Sequence, residues 1–89
     1  MRSVRLAFSS NGVRSLSSVR TGTRGTIVEV RSEAAGRTDR LLALGVTPGA
    51  TIVVLQTFPG IVFRCDQTEL AIERGVADAI LIRAEEMTA

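Results

Sequence analysis

The sequence predicts a mainly β fold, a small barrel of about five strands with one short helix. Three observations carry that prediction. Short runs rich in Val, Ile and Leu recur along the chain, each bounded by Gly, Pro, Asp or Ser, the punctuation expected of strands joined by tight turns. One stretch, residues 40–49, combines helical spacing with a glycine stop. The length, 89 residues, allows one domain with a small core, and closing the sheet removes strand edges that so short a chain could not otherwise cover.

Residues 1–14 are rich in Arg and Ser and have no clear period, as expected of a flexible basic arm ahead of a barrel over residues 15–84. Their composition also resembles an organellar transit peptide, or an arm that touches anionic lipid or nucleic acid. Residues 26–31 form a β-branched run that reads as the first long strand. Ile27 falls on the same side as Glu29 and Arg31, which calls for a bulge or for a position covered on both faces.

A loop or first helical turn follows at residues 32–36, and the helix is expected to run to Leu44, with Ser32 and Thr38 as alternative caps. Leu41 and Leu44 share a helical face and are expected in the core. Gly45 stands where a chain leaving a helix needs positive φ, and Pro48-Gly49 signals a type II turn.

Residues 52–55 are uniformly apolar, the pattern of a strand covered on both faces. After a turn at Phe58-Pro59-Gly60, Ile61, Phe63 and Cys65 alternate with Val62 and Arg64, predicting a half-buried strand. A turn at Asp66-Gln67-Thr68 leads to Leu70 and Ile72, the other arm of a hairpin. A single tight turn is expected at residues 75–78, a last strand at residues 80–82, and a polar tail at residues 85–89. Packed together, these elements predict an SH3-like barrel.

Charge is unevenly placed. All eleven basic residues are arginine; residues 1–28 carry five of them and no acid, while the remainder carries six against nine acids. With no His and a single cysteine, Cys65, the chain has neither a disulfide framework of its own nor a Cys/His zinc site, and a reducing compartment is expected. Cys65 shares its strand face with Ile61 and Phe63 and reads as a small buried hydrophobe. Glu69 and Glu73 fall on an outer strand face, and Glu85-Glu86 in the tail. No catalytic, cofactor or metal residues are therefore assigned.

Asp66, Glu69, Glu73 and Asp78 match no oxygen-donor loop, and Gly22-Thr23-Arg24-Gly25 lacks the Lys and helix of a phosphate-cradling loop. The segment from Gly22 resembles the ribosomal KOW motif, but the chain from Leu16 onward has eight Arg against nine acids and no Tyr or Trp, so nucleic acid is not the expected ligand. Nor are there the aromatics that line a proline-binding SH3 groove. No run is long and apolar enough to cross a bilayer, and a soluble, cytoplasmic protein is expected.

The pattern Leu16, Gly22-x-x-Gly25-x-Ile27-x-x-Val30, Arg40-Leu41-x-x-Leu44-Gly45-Val46-x-Pro48-Gly49, Ile52-x-Val54-Leu55, Pro59, Leu70-Ala71-Ile72 and Ala77-x-x-Ile80-x-Ile82 resembles the ferrous iron transport protein A (FeoA) family. The resemblance implies a cytosolic SH3-like barrel, non-enzymatic and without cofactors, that works with the membrane-embedded, GTP-binding ferrous iron transporter FeoB and meets the membrane only through it. A related domain occurs at the C-terminus of DtxR-type metal-dependent repressors. No helix-turn-helix precedes the barrel here, so DNA binding of their kind is not expected.

The expected contact surface is the helix end and its turn, Arg40, Leu44, Val46 and Pro48, with the Phe58-Pro59 tip. Exposed strand edges make a homo-oligomer a further expectation. Two alternatives stand beside accessory binding: a nucleic-acid-binding barrel led by the Arg-rich arm, and a carboxylate-based metal-sensing domain.

Overall fold

Six antiparallel strands form one sheet in the computed structural model, which describes residues 13–32 and 36–85. They are β1 (Val13–Ser15), β2 (Arg24–Val30), β3 (Thr51–Gln56), β4 (Ile61–Cys65), β5 (Thr68–Ile72) and β6 (Ile80–Ala84), in the spatial order β1-β6-β2-β3-β4-β5. Helix α1 (Arg37–Ala43) links β2 to β3, a single helical turn α2 (Arg74–Ala77) links β5 to β6, and a 3-10 turn (Leu16–Ser18) follows β1.

Alternation along the strands builds one core. Ile27, Ile52, Val54, Ile61, Phe63, Cys65, Ile80 and Ile82 are buried, joined by Leu16, Leu41, Val46, Val76 and Ala77 from the connections. Phe63 is the one aromatic among them, so the interior is aliphatic, as the composition demands. Gly25 marks a close strand contact: a Cβ there would lie 2.6 Å from the Arg83 carbonyl oxygen across the β2–β6 pair, so a larger residue would force the backbone to shift.

The mainly β class is as expected, with several local differences. Val13 and Arg14, read as the end of the arm, pair with Arg83 and Ile82 in β1; three residues are too few to show a period. The rest of the arm lies outside the described residues. The β2–β6 register shifts between Ile27 and Glu29, which is the bulge that the misplaced Ile27 required. In β3 only Ile52 and Val54 are fully buried while Val53 and Leu55 are half-buried, so the strand is not covered on both faces.

Where a single tight turn is expected at residues 75–78, Arg74–Ala77 make one turn of helix, because Val76 and Ala77 both reach the core. Hydrogen bonding does not close the sheet: among the described residues β1 and β5 do not pair, so the expected closed barrel is open at that seam. It is stitched instead by Arg74, whose guanidinium donates to the Thr57 carbonyl between β3 and β4 and, at 3.0 Å, to the Ser17 carbonyl after β1.

Candidate protein-contact site

Helix α1 starts without a side-chain cap. Gly36 occupies the N-cap in a left-handed conformation (φ 70°), and Thr38, an expected cap, lies inside the helix and is buried. The other expected cap, Ser32, lies four residues before that N-cap, although Asp39 does place a favourable negative charge in the first turn.

The C-terminus is far more determined. Gly45 takes φ 99° and donates its N–H to the Leu42 carbonyl at 3.1 Å, while the Val46 N–H reaches back to the Leu41 carbonyl at 3.0 Å. These two bonds are the Schellman pair, and the hydrophobic contact that accompanies it joins the residues flanking the reversal, here Leu41 and Val46, both buried. The reversal carries the chain into the turn Thr47-Pro48-Gly49-Ala50, closed by Ala50 N–H to Thr47 C=O at 3.0 Å with Gly49 at φ 97°, the predicted type II turn.

This arrangement sorts the expected contact residues. Arg40 and Pro48 are exposed. Leu44 is the C-cap rather than a helical residue, so its spacing from Leu41 no longer places it on the buried face; it is 48% exposed, not in the core. Leu42, which sequence reasoning passed over, is 40% exposed beside it. Its signal was present, since a residue next to the buried Leu41 is rotated about 100° away from the core. Val46 is fully buried and offers no contact surface; the Leu41-x-x-x-Gly45-Val46 spacing is the signature that would have placed it inside.

Phe58 and Pro59 are exposed, Phe58 at 81%. They belong elsewhere, however, because the Pro48 turn precedes β3 and Phe58 follows it, and six extended residues span roughly 17–20 Å. The residues expected to act together therefore form a helix-end patch and a separate tip.

Chemistry is sparse around them. Among the described residues no three His, Cys, Asp or Glu side chains come together as a metal site. Of the four carboxylates weighed as oxygen donors, Glu73 accepts from Arg37 at 2.6 Å and Asp78 accepts from the Ser17 hydroxyl. Cys65 is buried as expected, its Sγ 3.5 Å from the Gly45 carbonyl oxygen. Burial, with a smaller contribution from the Asp66 charge, pushes its thiol pKa up, which makes it a poor nucleophile. No helix among the described residues is long and apolar enough to cross a membrane.

Comparison with known proteins adds to this geometry. A crystal structure described as an iron uptake regulatory protein (FeoA) is 32% identical, with a TM-score of 0.72, over 82% of this chain and 99% of that one. A Stenotrophomonas maltophilia FeoA complexed with zinc, described as a procaryotic SH3 domain protein and suggested as a ferrous iron transport activating factor, is 18% identical, with a TM-score of 0.71, over 79% of this chain and 93% of that one. A manganese-dependent transcriptional repressor shares the fold at 24% identity and a TM-score of 0.72; the match covers 84% of this chain and 43% of the longer repressor. No curated protein matches. The FeoA domain model matches residues 14–84, from β1 to the end of β6, and the chain belongs to the FeoA domain family, small SH3-like domains.

Proposed function

We propose that this protein is a non-enzymatic accessory of ferrous iron transport that works in the cytoplasm, docking on the cytosolic part of an FeoB-type, GTP-binding membrane transporter. The observation that carries the reading is the apolar patch at the end of α1. Leu42 and Leu44 are the large aliphatic side chains left exposed among the described residues, and the Schellman bonds hold both on a rigid reversal. Such a patch binds at little conformational cost because its backbone is already ordered. Exposed Pro48 adds apolar surface beside it, and exposed Arg40 supplies a polar rim. The relatives described as an iron uptake regulatory protein and as a suggested transport activating factor support the same role.

Titration against the isolated cytosolic GTP-binding region of the cognate transporter, loaded with GDP or with a GTP analogue, tests this. Saturable binding is expected, and Leu42→Ser with Leu44→Ser should weaken it at least about tenfold, since burying half a leucine contributes roughly 1 kcal/mol. Binding unaffected by the double substitution would move the contact to another surface; no binding in either nucleotide state would refute docking on that region.

A further inference from the structure

The arginine-rich front of the sequence has a feature that iron transport does not explain. Where β1, β2 and the end of β6 converge, a cleft of about 540 Å³ is lined by Arg14, Arg20, Arg24 and Glu85, with the turn Thr21-Gly22-Thr23 across it. Lining charge is three positive against one negative. Among the described residues none of the three guanidinium groups makes an ion pair or a side-chain hydrogen bond, although the chain carries nine acids. The turn itself is rigid: Thr23 N–H bonds to Arg20 C=O at 3.0 Å, and Gly22 N–H and Thr23 C=O both pair with Val54 in β3. The Thr21 N–H and the hydroxyls of Thr21 and Thr23 have no partner among the described residues.

We infer that this cleft is a binding site for a small anion bearing two or more phosphate groups. Arginine forks give strong paired hydrogen bonds to either phosphate or carboxylate. A tetrahedral phosphate accepts from several directions at once, as three arginines and two threonine hydroxyls arranged around a cleft would supply, whereas a planar carboxylate is saturated by one or two forks. No lining residue is aromatic, so nothing there stacks a base, and recognition rests on the phosphates rather than on a nucleic-acid strand. The volume lies within the range of small-molecule sites. The inference stands apart from transporter docking, which uses the other end of β3.

Amide NMR of the ¹⁵N-labelled protein tests it, with pyrophosphate as the probe and citrate as the carboxylate comparator, both at constant ionic strength. Pyrophosphate should shift the Thr21, Gly22 and Thr23 amides saturably, and citrate should bind at least about tenfold more weakly. Arg20→Ala with Arg24→Ala should lower pyrophosphate affinity at least about tenfold without changing the melting temperature, because neither side chain supports the fold. Should that pair fail to fold, Arg14→Ala alone should reduce affinity severalfold. Shifts that do not saturate, equal affinity for citrate, or unchanged affinity in the folded variants would overturn the assignment.

Discussion

The turns Arg20-Thr21-Gly22-Thr23 and Thr47-Pro48-Gly49-Ala50 follow the same backbone path. Each closes with a 3.0 Å hydrogen bond from its fourth residue to its first, and each has glycine in third place, at φ 92° and 97°. Both are type II turns. Around the second, Val46 and Ala50 are buried and the exposed neighbours are Leu44 and Pro48. Around the first stand three arginines. A turn's backbone thus determines where the chain goes, and the side chains just outside it determine whether the turn covers core or faces a charged ligand.

The largest expected break in this comparison comes from Val46→Ala, which removes a fully buried side chain behind the Pro48 turn. Two lost methyl groups and the space they leave should cost about 2 kcal/mol in chemical denaturation. The Arg20 turn has no equivalent: Arg20→Ala should change stability by less than about 0.5 kcal/mol, the smallest effect of the set.

Alkaline pH separates the regions next. The chain has no His, Lys or Tyr, so apart from the α-amino group Cys65 is the one group titrating between neutrality and the arginine range. Its pKa is raised in the folded state, first by burial and then by Asp66, from an ordinary value of 9.0. The unfolded chain therefore loses its proton first. Stability should hold below pH 9 and fall as pH rises through the folded pKa, by at most about 1.4 kcal/mol per pH unit. Denaturation midpoints measured across that range should show the decline, and Cys65→Ala should abolish it.

Gly49→Ala and Gly22→Ala sharpen the comparison further. At both sites a Cβ would meet nothing within 4 Å, so the cost is the positive φ alone. Each should lose roughly 1 kcal/mol, and the two losses should agree. Unequal values would show that the turns are not held alike.

Much of this was legible in local sequence. Ile61, Phe63 and Cys65 alternate, and they are buried on one face; Gly45 and Pro48-Gly49 signal the reversal, and their backbones adopt it. Ile27 broke the alternation, and a bulge resolves it. The contact surface was less legible. Leu44 and Val46 are both apolar residues beside Gly45, yet one is half-exposed and the other sealed, because the Schellman bonds turn the chain inward after one residue and not before it. Phe58 and Phe63 are the same residue five positions apart; one lies in a loop with its ring in solvent, the other on an inward strand position.

What the sequence by itself determined is therefore the set of elements and turns, because strand alternation, helix stops and positive φ are properties of neighbouring residues. The tertiary structure alone decided which exposed groups meet. Arg14, Arg20, Arg24 and Glu85 come from three separate stretches of chain, and they share one cleft only because β1 and β2 both pair with β6. Long-range strand pairing sets that proximity, and no local pattern encodes it.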